Sequence, residues 1–378
     1  MSRRPLIVGP LLVLMAGFGL GVYHVLGTFK TDTTQPAANP TESTPVFTLP
    51  GVLYLSQHGV IYKLQGQKFT AITDNRGWMQ PALLPDGTIL AVRRDAEYSD
   101  LFHLDANGHV IQQLTNDKGK AIDENHWVFY PKASPVGSSV FYAFDQPKFG
   151  YRVDMAIWSS TLDSAAVTPR AGNGSLAKQW TSPDQYTGGD IEPIPLADGG
   201  LIYVGYGVTP KEHINATILL ASAPLRQSKP LTNIEDDCSW PALSPDGRTL
   251  AMVCTHGSQV ASLEVAAFDG KALGPPRTVV SSDLVSAPVW APDGSGLAYL
   301  APAATGGHFQ LWWLAGAASA AVAPASTPSP ASRAATPSPV ASASPSPAAT
   351  AVGGLAAPQQ VTRNLDFDAT SAPAWTAG

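Results

Sequence analysis

The chain has 378 residues, with 23 Lys and Arg against 29 Asp and Glu, a formal charge of -6. A phosphate-binding partner needs a basic face, so this balance argues against nucleic acid. Charged residues make up only 14% while Gly and Pro number 34 each, which argues against a helical bundle, and two cysteines are too few for a disulfide scaffold or a four-cysteine zinc centre.

Arg3 and Arg4 precede an uncharged run from Pro5 to Gly27. Twenty-three residues at 1.5 Å each cross a hydrocarbon core of ~30 Å. No small-residue cleavage pattern follows, and no nearby cysteine accepts lipid. Residues 1–30 are therefore expected to form a signal-anchor, with a cleaved signal peptide as the alternative. The positive-inside rule leaves everything after Lys30 outside the cytoplasm, periplasmic or at the cell surface, or secreted if cleavage occurs. Residues 31–50 read as a Thr/Pro/Asn-rich spacer.

From Gly51 onward, short apolar runs of strand length alternate with Gly, Pro, Asn and Asp. The expected class is all-β. One phrase recurs: Pro81-Ala-Leu-Leu-Pro-Asp-Gly87, Pro241-Ala-Leu-Ser-Pro-Asp-Gly247 and Pro288-Val-Trp-Ala-Pro-Asp-Gly294, each followed by an apolar run. Weaker copies are Pro131-Lys-Ala-Ser-Pro-Val-Gly137 and Pro193-Ile-Pro-Leu-Ala-Asp-Gly199, and a truncated one is Pro373-Ala-Trp375. Its chemistry is a turn: Pro fixes φ, Asp bonds its own backbone, and Gly takes a positive φ. The first prolines stand 50, 62, 48, 47 and 85 residues apart, a four-stranded propeller period with one outlier.

The phrase, an apolar strand after it, and the closing elements Gln113-Leu-Thr115, Pro230-Leu-Thr232 and Gln360-Val-Thr362 resemble the TolB-like propeller family over residues 51–378. The family's N-terminal α/β domain is not expected in this chain. The resemblance implies a β-propeller, and counting the phrase copies gives six blades. Five blades begin at Pro81, Pro131, Pro193, Pro241 and Pro288. The sixth takes its first strand from Pro373-Ala-Trp375 and three more from Gly51 to Thr73, so strands from the two ends of the domain close the ring and remove exposed edges. The 85-residue interval holds a segment, 315–358, almost entirely of Ala, Pro, Ser and Thr. It is expected to be a disordered insert between the third and fourth strands of a blade.

Strand parity assigns the loops to two faces. First-to-second and third-to-fourth turns share one face with the anchor and the insert, which is expected to look toward the membrane. Second-to-third turns and blade-to-blade connections share the other, outward face, where a partner is expected to bind.

The connections carry carboxylates: Asp74, Asp123, Glu124, Asp184, Asp190, Glu192, Glu235, Asp236, Asp237, Asp283, Asp366 and Asp368. If they converge on one mouth they form a ring of negative potential that suits a cationic partner or calcium, the one cofactor this pattern suggests. If they are ordinary turn residues they stand solvated and apart. His126, His213, His256 and His308 fall in loops of the same face and are weak metal candidates, without ligand spacing. Cys238 and Cys254 stand eight residues either side of Asp246, which puts them opposite each other across a hairpin and predicts a disulfide.

No nucleophile elbow, H-E-x-x-H motif or phosphate loop occurs, and no catalytic residue is assigned. The expected function is a non-catalytic, membrane-tethered extracytoplasmic propeller that binds a protein, peptide or cell-wall partner at its outward channel mouth. The competing reading is a metal-dependent propeller enzyme, a lyase or lactone hydrolase. Three or more of the named carboxylates or histidines within ligand distance of one point would favour the enzyme.

Overall fold

A computed structural model of the chain describes residues 47–148, 153–162, 177–304, 307–322 and 355–378. The expected signal-anchor at 1–30 and most of the spacer lie outside the described residues. Among the described residues no helix is long and apolar enough to cross a membrane.

The strands arise in six groups. The chain opens with β1 (Val52–Gln57), β2 (Val60–Gln65) and β3 (Lys68–Ala71). Blade one is β4 (Trp78–Leu83), β5 (Ile89–Arg94), β6 (Ser99–Leu104) and β7 (Val110–Gln113). Blade two is β8 (Val128–Ala133), β9 (Ser139–Phe144), β10 (Ala156–Thr161) and β11 (Lys178–Gln179). Blade three is β12 (Asp190–Pro195), β13 (Leu201–Val208), β14 (Ile214–Ala221) and β15 (Lys229–Pro230). Blade four is β16 (Cys238–Leu243), β17 (Thr249–Cys254), β18 (Ala261–Ala267) and β19 (Arg277–Ser282). Blade five is β20 (Ser286–Trp290), β21 (Gly296–Pro302), β22 (Phe309–Ala315) and β23 (Gln359–Gln360). The last strand, β24 (Ala374–Thr376), pairs antiparallel with β1, placing Leu53 opposite Trp375, and gives the sixth sheet the order β24-β1-β2-β3. The described fold is thus six four-stranded antiparallel sheets, a six-bladed β-propeller.

The repeated phrase makes the first-to-second hairpin as its chemistry predicts. Gly87, Gly199, Gly247 and Gly294 each take a positive φ, and each N–H closes the turn on the carbonyl of Leu84, Leu196, Ser244 or Ala291. Oδ1 of Asp86, Asp198, Asp246 and Asp293 accepts the N–H two residues on. A second repeated bond locks the outer half of five blades. The hydroxyls of Thr73, Thr115, Thr181, Thr232 and Thr362 accept the third-strand N–H of Ile61, Leu101, Ile157, Ile218 and Leu311, at 2.9 to 3.0 Å. Blade four uses a longer fourth strand instead, Arg277–Ser282.

The core lies between blades, where inward faces of adjacent sheets interlock. Ala251, Leu263 and Val280 of blade four pack with Leu297, Tyr299 and Leu314 of blade five, for example. The segment expected to be disordered from residue 315 is ordered further than that. Gly316 N–H bonds to Ser295, and Ala317–Val322 forms a short helix. Ala317 is fully buried in the blade four–five core, with Ala318 and Leu355 packed against it. Alanine makes this possible, because it loses no side-chain entropy in a helix and fits a close approach to a sheet. Residues 323–354 lie outside the described set.

Candidate functional site

The innermost strand of each blade faces the central channel. In five of them the residue before the first proline of the phrase is left-handed: Gln80, Tyr130, Glu192, Trp240 and Ala287, with φ from 51° to 55°. Each sits at a register shift between first and second strand, a β-bulge. Non-glycine residues seldom adopt this region, and holding one there costs on the order of 1–3 kcal/mol. The proline that follows has no N–H to leave unpaired, so it suits an edge strand at a bulge. The bulge re-aims a side chain, and here it does so repeatedly around one axis.

The bulged residues are bonded from blade to blade. Gln80 N–H donates to Ser371 Oγ at 2.6 Å, and Gln80 Nε2 to the Thr370 carbonyl at 3.1 Å, joining the sixth sheet to blade one. Tyr130 N–H donates to Gln80 Oε1 at 2.7 Å. Trp240 N–H donates to Glu192 Oε2 at 2.7 Å. Against this belt lies an axial cavity of about 460 Å³. Its lining includes Gln80, Tyr130, Lys132, Glu192, Trp240, Trp290 and Trp375, with prolines from five blades. Pro245 and Pro292, in the Pro-Asp-Gly turns, belong to that lining, so the cavity extends from the belt toward the turn face. A second cavity of about 640 Å³ runs over the turns of blades one to four and shares Lys132, Ile194, Leu243 and Pro245 with the first.

Glu192, Lys132 and Tyr130 are the ionisable groups in this otherwise largely apolar cavity. Glu192 is 8% exposed, and burial pushes its carboxyl up to about 8, against the opposing pull of the Trp240 N–H and the Lys132 ammonium. Burial pushes the Lys132 ammonium down. Tyr130 is raised by burial first and by the Glu192 charge second. An acid, an amine and aromatic faces in one cavity can hold a chain segment that carries both apolar and charged groups.

By sequence, no family model and no curated protein matches the chain. Solved structures do. TolB from Acinetobacter baumannii superposes with a TM-score of 0.55 at 14% identity, covering 86% of this chain and 66% of that one. Hydrazine synthase from Kuenenia stuttgartiensis superposes with a TM-score of 0.50 at 12% identity, covering 71% of this chain and 44% of that one. The fold is a TolB-like propeller.

In this TolB-like propeller the carboxylates named from sequence are dispersed. Glu192 is in the channel. Asp190 is buried in the same strand, its carboxyl pushed up to about 7 by burial. Asp74 pairs with Arg76 at 2.8 Å and accepts Trp78 Nε1. Asp123 and Glu124 are exposed in a 3-10 turn, where Glu124 accepts the N–H of Lys120. Asp237 is left-handed at the end of another 3-10 turn and accepts Ala216 N–H and Thr255 Oγ1. Asp236 approaches His256 at 3.3 Å, Asp366 approaches His308 at 3.1 Å, and Asp368 accepts from Thr370. Asp283 is exposed. Asp74, Glu124 and Asp368 serve local contacts, while Asp236, Asp237 and Asp366 contact residues distant in sequence.

The four histidines stand in different blades. His126 bonds Asp145 and His213 is exposed. His256 bonds Glu264 at 2.7 Å, which raises its pKa. Among the described residues, one group of three brings ligand atoms within 4.8 Å of one another: Cys254, His256 and Glu264. Its cysteine is already committed. Cys238 and Cys254 are register partners joined as a disulfide, with Cα atoms 4.1 Å apart.

Sequence reading missed Gln80, Tyr130 and Lys132. Their signal was present, because they flank the first proline of each phrase, a position that varies while the turn does not. A period-two pattern puts those side chains on one face or the other, and the bulge breaks that period.

Proposed function

We propose that the protein is a non-catalytic, membrane-tethered extracytoplasmic propeller that holds a protein or peptide partner at its axial cavity. The observation that carries this reading is the cavity itself. Left-handed bulges hold aromatic, acidic and amide side chains around one axis, and strain of that kind persists where a site is built. At about 460 Å³ the cavity admits a chain end or a loop of a partner, not a folded domain. Tyr130, Trp240 and Trp375 offer flat apolar surfaces of the type that grip proline-rich or extended peptide. This reading moves the binding mouth from the acidic connections to the turn face. Periplasmic or cell-surface placement rests on Arg3, Arg4 and the apolar run after them.

The enzyme reading needs several carboxylates or histidines aimed at one point. The named residues instead meet at separate places: His256 contacts Asp236 and Glu264 in blade four, beside a cysteine committed to a disulfide, and Asp366 contacts His58 and His308 where blade five meets the sixth sheet.

The test is affinity capture with the full-length chain in detergent, alongside Trp240→Ala and Glu192→Gln. The reading expects a protein or peptide retained by the wild type and lost at least tenfold in Trp240→Ala, with Glu192→Gln, a neutral isostere of the protonated acid, retaining it near pH 7. Equal capture by the wild type and Trp240→Ala removes the axial cavity as the site.

A further inference from the structure

Blade four brings sulfur, nitrogen and oxygen donors together away from the channel, and strand register builds the group. Cys254 closes β17 opposite Ser262 of β18, and Met252 lies opposite Glu264. Side chains two apart on a strand share a face, so Cys254 and Glu264 are diagonal neighbours on one face of the sheet. On its other flank Cys254 faces Cys238, the first residue of β16. His256 follows in the β17–β18 turn. Its N–H donates to the Asp236 carbonyl at 3.0 Å, which ties that turn to the 3-10 turn entering the blade. None of these residues lines either cavity described above.

The donor atoms converge. His256 Nε2 lies 2.7 Å from Glu264 Oε1, and one ligand atom each from Cys254, His256 and Glu264 falls within 4.8 Å of the other two. Ligands bound at about 2.0–2.3 Å around one tetrahedral ion stand roughly 3.3–3.8 Å apart, so side-chain rotation alone closes the gap. Cys254 and Glu264 are buried, while the His256 side chain is 43% exposed and leaves a way in from solvent. His256 Nδ1 lies 3.3 Å from Asp236 Oδ1, the carboxylate partner that orients a ligating imidazole.

The disulfide holds the same sulfur. Joined to Cys238, Cys254 has no thiolate to offer. Two reductant thiols give the protein disulfide two electrons and two protons and leave as their own disulfide, and Cys254 becomes a thiol beside His256 and Glu264. We propose that Cys254, His256 and Glu264 form a redox-gated site for a zinc-class divalent ion, open only while the Cys238–Cys254 disulfide is reduced. The ion takes the Cys254 thiolate, His256 Nε2 and a Glu264 oxygen, with water in the fourth position. Binding releases the thiol proton and the proton shared between His256 and Glu264. One soft and two harder donors suit a borderline ion such as zinc better than calcium. Zinc and oxidant therefore compete for one sulfur. The site needs no partner at the axial cavity, so it stands apart from the proposed function.

The experiment titrates the full-length chain in detergent with Co²⁺, whose thiolate charge-transfer absorption reports a cobalt–sulfur bond, and then with Zn²⁺. The chain has only two cysteines, so Cys238→Ser leaves Cys254 as its one thiol and needs no reductant. The expected result is no charge-transfer band in the oxidised wild type. The band should appear in Cys238→Ser and in wild type reduced with a phosphine that is then removed, and Zn²⁺ should bleach it. Adding His256→Ala or Glu264→Gln to Cys238→Ser should weaken cobalt binding at least tenfold. If the buried Glu264→Gln does not fold, His256→Ala, at an exposed turn, carries the test. If Cys238→Ser does not fold, the same substitutions are read in the reduced chain. A missing band in both thiol forms overturns the proposal. So does a band that His256→Ala leaves unchanged, which would mean a metal held by sulfur alone.

Discussion

Gln80 Oε1 accepts the main-chain N–H of Tyr130 at 2.7 Å, and both residues are left-handed at the position before a proline in neighbouring blades. The same geometry returns where Glu192 accepts the N–H of Trp240. A bulge frees an N–H from the ladder, and the previous blade's side chain takes it. The strain of these bulges is thereby tied to packing at the junctions of blades one and two and of blades three and four.

Gln80→Ala removes that acceptor and leaves the Tyr130 N–H buried without a partner. The expected loss of stability is about 1–3 kcal/mol. Urea unfolding of the full-length chain measures it. A loss below half a kcal/mol would show that the belt contributes only shape.

Glu192 titrates with a folded pKa of about 8 against an ordinary carboxylate value of 4.5. Between those values the folded chain holds a proton that the unfolded chain releases. Stability from this group therefore falls as pH rises from 4.5 toward 8, by an amount on the order of a few kcal/mol at most. Asp190, raised to about 7, adds to the same trend over the lower part of that window. Glu192→Gln should flatten the pH dependence of the melting temperature between pH 5 and 8 while an amide oxygen keeps the bond to Trp240. An unchanged slope in the variant contradicts the assignment.

Thr115→Val and Thr362→Val keep side-chain shape and strand propensity but remove the hydroxyl that accepts the N–H of Leu101 or Leu311. Each is expected to cost about 1–3 kcal/mol. The two threonines lie in blades one and five, so their costs should add within about half a kcal/mol in the double variant. Strong non-additivity in denaturant melts would mean that they act through a shared element.

Removing Ala374–Gly378 takes away the innermost strand of the sixth sheet. It also removes Trp375, whose ring packs edge-on to Trp313 at 5.6 Å and whose Nε1 donates to the Pro50 carbonyl at 2.8 Å. The exposed edge of β1 is then free to pair with other chains. The expected outcome is a lower melting temperature and concentration-dependent association in sedimentation. A monomer with wild-type melting would show that the ring holds without this strand.

The sequence by itself determined the number of blades, the hairpin at each Pro-Asp-Gly and the pairing of Trp375 with strands near Gly51. These depend on turn chemistry and on a period, both of which are local. It also determined that Cys238 and Cys254 face each other, because a symmetric distance about a hairpin fixes register. The tertiary structure decided the rest. The bulge before each first proline is invisible to a period-two pattern, so Tyr130 and Gln80 went unnoticed and Glu192 was expected on a rim instead of in the channel. The carboxylates of the connections looked equivalent as letters. Burial separated them: Asp74 and Asp123 are exposed, while Asp117, which the sequence did not single out, is buried. Burial sets the cost of a charge, and burial is a property of how blades meet, not of the residues within any one of them.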